Sequence, residues 1–132
     1  MANSSSEDPL AIGRGFVSAL ERQDWGELAA LLDPAVQFRA LTPRGFRNAD
    51  DRATAANYVQ KWFGDADQLI LQSSQVSLMH DRVHIAYRIR EHEDQWYLVE
   101  QQVYCTIRDG QIEKLDLLCS GFRPEVSQDP SC

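Results

Sequence analysis

Residues 98–120 read LVEQQVYCTIRDGQIEKLDLLCS. Two runs rich in Val, Tyr, Thr, Ile and Leu flank an Asp-Gly pair, which signals a tight hairpin turn. Side chains alternate between faces along a strand. Val99, Val103, Cys105 and Ile107 therefore share one face of the first run, and Leu115, Leu117 and Cys119 form the matching row on the second. Glu100, Gln101 and Gln102 interrupt the apolar pattern, and one of three consecutive residues at least must face inward. With the apolar rows inside, that residue is Gln101. Glu100 and Gln102 then share the outer face with Arg88, Arg90, Trp96 and Tyr104. A polar group left unsatisfied in a dry core costs ~1–3 kcal/mol. Gln101 thus has either an internal partner (Tyr58, Tyr87 or a backbone group) or a ligand in an open cavity.

The period of two extends upstream. Strands are expected at about 68–79, 83–91, 96–107 and 111–121, joined by the turns HDR, HED and RDG. Val83, Ile85, Tyr87 and Ile89 give the inward row of the second of these. An even-numbered loop over 91–96 would instead bring Arg88 and Arg90 inside and turn Tyr87 out. Continuity of the apolar face favours the first arrangement.

Before Gly64 the period is helical. Asp8-Pro9 is a cap followed by Pro at the first helical position, and Ile12, Phe16, Ala19 and Leu20 mark one face of a helix over about 9–22. Asp24 and Glu27 open a short second helix with Trp25, Leu28, Leu31 and Leu32 on its apolar side, stopped by Asp33-Pro34. VQFRAL (36–41) alternates as a strand, and the loop TPRGFRNAD leads to a third helix over about 50–63, capped by Asp50 or Asp51. Ala55, Val59, Trp62 and Phe63 form its apolar face, with Gly64 as a C-terminal glycine. Three helices, one strand between the second and third, and four strands in hairpin succession make an α+β order. The long antiparallel sheet would curl around the helices and leave a conical cavity.

At 132 residues the chain suits one domain. Its net charge of −7 argues against general nucleic-acid binding, which rests on Lys and Arg neutralising phosphates. No apolar run approaches the ~20 residues of a membrane span. MANSSSEDP has neither the basic nor the apolar region of a secretory signal. Residues 1–8 are expected to be a disordered lead-in and 125–132 a flexible tail around a domain at 9–124. Three cysteines, Cys105, Cys119 and Cys132, in no paired spacing fit a reducing, cytoplasmic setting. Cys105 should face residues 113–115 across the hairpin, which leaves Cys119 too distant for a disulfide.

The phrase FVSALERQDWGELAALLDPAVQFRAL, with WFGDAD, VEQQVYC and CSGFRP, resembles the NTF2-like superfamily in its SnoaL-like branch, a cystatin-like α+β fold, over about residues 9–124. The last three stretches are similar to small bacterial members without established activity. The resemblance implies a cone of three helices on a curved, mainly antiparallel sheet, and a homodimer through the convex face. It implies no single activity, since the superfamily holds isomerases, cyclases, epoxide hydrolases and binding modules. A ketosteroid-isomerase-like base would fall near the end of the first strand, where Gln37-Phe38-Arg39-Ala40-Leu41 has no acid. Phe16 stands where such an enzyme has a first-helix tyrosine, and the facing acid would fall near Val103 or Gln101. The Asp-Arg-Asp pattern of epoxide hydrolases is also missing.

The residues then expected around a pocket are Phe16, Arg39, Tyr58, Trp62, Tyr87, Gln101, Val103, Leu117 and Cys119. Arg39, Arg44, Arg47 and Arg52 either pair with Asp50, Asp51 or Asp65 or recognise a carboxylate or phosphate. His80, His84 and His92 do not share a metal-binding spacing, so neither metal nor cofactor is expected. Cys119 has no histidine nearby in sequence and reads as a small buried hydrophobe. The leading reading is a protein binding a small, mostly apolar organic molecule, with Gln101, Arg39 and Tyr58 orienting its polar end. One rival is a SnoaL-like isomerase, cyclase or dehydratase using Glu100 or Asp116, the mid-strand acids. The other is a dimerisation module with a filled core.

Overall fold

The computed structural model describes residues 8–125. Its helices are α1 (Pro9–Glu21), α2 (Trp25–Ala30) and α3 (Arg52–Phe63). Its strands are β1 (Leu32–Thr42), β2 (Gly45–Ala49), β3 (Gln68–Met79), β4 (Arg82–Glu93), β5 (Gln95–Arg108), β6 (Gln111–Cys119) and β7 (Arg123–Pro124). Each helix begins on an aspartate whose side chain accepts a backbone N–H: Asp8 from Leu10 at 3.0 Å, Asp24 from Glu27 at 3.1 Å and Asp51 from Thr54 at 2.8 Å. The Thr54 bonds lower the Asp51 carboxyl below its usual range.

The strands form one sheet ordered β2-β1-β6-β5-β4-β3, with β7 pairing β5. Only β1 and β6 pair in parallel. The turn between β5 and β6 has φ +54° at Asp109 and +77° at Gly110, the left-handed pair that Asp-Gly supplies. Tyr87 lies opposite Gln101, Gln101 opposite Cys119, and Cys105 opposite Leu115. That is the register with the apolar rows inside. Cys105 and Cys119 are free thiols, each facing another residue. Burial pushes the Cys105 thiol up to about 12, helped by the charge of Asp116.

Several elements differ from the sequence expectation. Leu32 is the first residue of β1, not the end of α2, and Asp33-Pro34 lie inside the strand where its register on β6 slips. Proline is tolerated there because β2 flanks only Phe38–Thr42, so no ladder partner needs an N–H from Pro34 on that side. TPRGFRNAD is not a loop: it folds back about Gly45 to form β2, a strand too short and polar to show a period. α3 starts at Arg52, with Asp51 rather than Asp50 as its cap. β4 continues to Glu93, because Asp94 alone, at φ +69°, turns the chain into β5. Gly64 ends α3 in a right-handed conformation (φ −71°), without the left-handed turn expected of a terminal glycine. A Cβ there would meet the Gln60 carbonyl oxygen at 2.5 Å, so the requirement is space.

Residues 1–7 and 126–132, where most of the lead-in and tail were expected, lie outside the described residues. Asp8 caps α1. Glu125 donates its N–H to the Trp96 carbonyl at 2.9 Å, and its carboxylate accepts from Arg90 at 2.7 and 3.0 Å. Among the described residues no helix is long and apolar enough to cross a membrane.

Candidate functional site

The middle of the cone is packed solid. Phe16 and Leu20 of α1, Phe38 of β1, Phe63 of α3, Ile85 of β4 and Val103 of β5 are all fully buried. Gln101 sits among them with 1% exposure, and both ends of its amide are occupied. The Tyr87 hydroxyl donates to Oε1 at 2.5 Å, and Nε2 donates to the Cys119 sulfur at 3.2 Å. The Gly121 N–H donates to the same sulfur at 3.3 Å. Burial, with lesser contributions from Cys119 and Cys105, pushes the Tyr87 hydroxyl well above its usual range. The polar residue inside the apolar row is therefore held by the protein itself.

The open space lies toward one end of the sheet, between α3 and the ends of β1, β4 and β6. It is a cavity of about 860 Å³. Tyr58 and Trp62, four apart on α3, form one wall. Tyr58 stacks on buried Phe38 at 5.8 Å and on Trp62 at 6.4 Å between ring centres. Cys119 to Arg123 form another wall. Gly121 has φ +89°, and a Cβ on it would lie 2.8 Å from Pro43, so the bend after β6 requires glycine at this point of the wall.

The third wall carries the chemistry. The inward row of β4, Val83, Ile85, Tyr87 and Ile89, continues to Glu91 because the strand does not stop there. Glu91 is 2% exposed, lines the cavity, and its Oε1 has no hydrogen-bond partner among the described residues. Its carboxyl is pushed up to about 8. Burial is the main cause, followed by the charge of Glu93, a hydrogen bond between the two carboxyls, and the charge of Asp65. A group with that affinity holds its proton at neutral pH and can release it a little above. Sequence reasoning missed Glu91 by carrying the inward row of the expected strand 83–91 only to Ile89. Carrying the alternation past Ile89 brings in Glu91 and then Glu93.

The acids the sequence did single out face the other way. Glu100 pairs with Arg88 at 2.6 Å and Asp116 with Arg82 at 3.4 Å, both on the outer face. Of the expected pocket residues, Tyr58, Trp62 and Cys119 line the cavity. Phe16, Tyr87, Val103 and Leu117 are core residues, and Gln101 is bonded among them, away from the cavity. Arg39 is exposed on the outer face, because its neighbours Phe38 and Ala40 take the inward positions on β1. Arg52 donates to the Leu32 carbonyl at 2.9 Å and forms no ion pair with an aspartate among the described residues. His84 stacks on Tyr104 at 4.7 Å, and His92 bonds Asp67 at 2.9 Å. Among the described residues no three His, Cys, Asp or Glu side chains are grouped to hold a metal.

An NTF2-like protein from Burkholderia xenovorans LB400 superposes with a TM-score of 0.63 over 91% of this chain and 92% of its own, at 14% identity. The fold is NTF2-like. The same NTF2-like architecture is found in IdmH, a proposed polyketide cyclase from Streptomyces antibioticus. There the TM-score is 0.70 and the identity 15%, over 85% of this chain and 91% of that one. A proposed polyketide cyclase from Xanthomonas campestris pv. campestris gives 0.67 and 20% over 86% and 91%. No family model and no curated protein matches the sequence. Within this NTF2-like fold, β1 carries no acid at Gln37–Leu41. The buried acid of this chain stands instead at the far end of β4.

Proposed function

We propose that this protein is an enzyme of SnoaL-like type that moves protons on a small organic substrate held in the cavity, with Glu91 as its proton-carrying group. The observation behind this reading is Glu91 itself: a buried carboxyl with an unpartnered oxygen, facing a cavity large enough for a small organic molecule. A merely structural acid would be exposed or have both oxygens partnered.

The aromatic wall of Tyr58 and Trp62 would hold the apolar body of the substrate. The Glu91 O–H would donate to a substrate carbonyl oxygen, while the neighbouring Glu93 carboxylate accepts the proton of the adjacent carbon. The product of that step is an enol, and returning a proton to a different carbon gives an isomer. Attack of the enol carbon on a second carbonyl gives a ring. Likeness to two proposed polyketide cyclases supports this reaction class. A binding protein without catalysis would use the same cavity but would not need an acid poised near neutrality.

The test is hydrogen–deuterium exchange at the α-carbon of 1,3-dicarbonyl and enone compounds in D2O, followed by proton NMR. Exchange accelerated by the wild type, lost in Glu91→Gln and declining as pH rises through about 8 is the expected result, since the protonated form is the donor. Equal exchange by wild type and Glu91→Gln would overturn it.

We further propose that the protein forms a homodimer through its outer sheet face. Most charges there are already matched within the chain: Arg88 with Glu100, Arg82 with Asp116 and Arg90 with Glu125. Phe46, Leu41 and Leu118 are consecutive neighbours across β2, β1 and β6, exposed by 56%, 50% and 52%. A second copy would cover them.

A further inference from the structure

The cavity has a basic side opposite its acidic one. Arg47 stands across from Ala40 in the β1–β2 hairpin, and Ala40 is buried on the inner face, so Arg47 points inward as well. Arg44, from the turn of the same hairpin, lines the mouth beside it. Lys61 comes from α3, three residues after Tyr58 and on the same stripe of the helix. Arg123 adds a fourth cation at the rim.

Among the described residues none of these four forms an ion pair, although acids outnumber bases 20 to 13 in the chain. Arg47 uses one N–H on the carbonyl of its neighbour Phe46 and has the rest of its guanidinium free. On β4, by contrast, Arg82, Arg88 and Arg90 all pair with carboxylates. These four unpaired cations come from three elements to an opening that Glu91, Glu93 and Asp94 also line.

We propose that the substrate is a small organic acid: an apolar, unsaturated or aromatic body with a carboxylate seated on Arg44, Arg47 and Lys61, and its reactive carbonyl turned to Glu91. This rests on the reading of the cavity as the substrate site. Guanidinium groups match a carboxylate through two parallel hydrogen bonds. The class is a monoanion, because Glu93 and Asp94 at the same mouth would repel a doubly charged phosphate more strongly. The segregation of charge also sets the orientation. A carboxylate at the basic side places the other end of the molecule at the acid.

Matched pairs of probes test this: cinnamate against cinnamamide and 2-naphthoate against 2-naphthamide, titrated against the full chain and followed by tryptophan fluorescence, since Trp62 lines the cavity. The acids should bind roughly tenfold or more tightly than the amides. That preference should shrink as sodium chloride rises, and should disappear in Arg47→Gln and weaken in Lys61→Ala. In Glu91→Gln it should persist, so the anion site and the proton-transfer reading fail separately. Acid and amide binding equally, neither binding at millimolar concentration, or phenyl phosphate binding more tightly than the carboxylates would overturn the proposal. So would an unchanged preference in both Arg47→Gln and Lys61→Ala.

Discussion

Glu91 carries its function in its solvation. In water a glutamate ionises near pH 4.5; buried at the end of β4 beside the charge of Glu93 it does so at about 8. Folding therefore holds a proton that the unfolded chain releases between those two values. The folded pKa is the raised one, so the stabilising effect of that proton is complete below about 4.5 and lost as pH rises through 8. Relative to Glu91→Gln, which cannot ionise, the wild type should lose on the order of 2–4 kcal/mol between pH 5 and pH 9. Urea melts of both proteins at pH 5, 7 and 9 measure this. Parallel stabilities across the range would mean that Glu91 is hydrated and ionised like any surface acid. The residue was legible in principle, since it sits in phase with Val83, Ile85, Tyr87 and Ile89. What hid it was the polar run EHED, whose last three residues read as a turn although only Asp94 turns.

At the level of elements, Gln101 fastens strands to one another. Its amide bridges Tyr87 on β4 to Cys119 on β6, across β5. The sequence left two roles open for it, and on the ligand-facing one Gln101→Leu should have been neutral or stabilising. With both amide ends satisfied inside the protein, the expectation reverses. Gln101→Leu leaves the buried Tyr87 hydroxyl without an acceptor and should cost ~1–3 kcal/mol. Adding Tyr87→Phe should recover much of that loss, because an absent donor needs no partner. Denaturant melts of the two single variants and the double variant check both statements. A Gln101→Leu protein as stable as wild type would count against the bridge. The hairpins themselves were plain from alternation and from Asp109-Gly110. β2 was not, because five residues containing Gly, Arg and Asn become a strand only when β1 offers an edge to pair with.

Across the whole molecule the two sheet faces have different tasks. The inner face is apolar except for Gln101, Arg47 and the acids at the end of β4, while the outer face matches most of its charges in pairs and exposes Phe46, Leu41 and Leu118. Leu118→Glu should convert a dimer to monomers in light scattering while leaving the circular dichroism spectrum unchanged. A wild type that is monomeric at high concentration removes the dimer. The sequence by itself determined the helices, the hairpin succession, the inward rows and hence the α+β order, because periodicity and capping are local properties carried by neighbouring residues. Only the tertiary structure decided where the cone is filled and where it is open. Phe16, Tyr87 and Val103 occupy the middle, so the cavity lies beside α3, and Arg39 faces outward while Arg47 faces in. Those outcomes depend on where a strand ends and which side chains from distant elements meet. Glu91 lies within the strand the alternation predicts, yet only the packing at that end of the sheet decides that its carboxyl is buried.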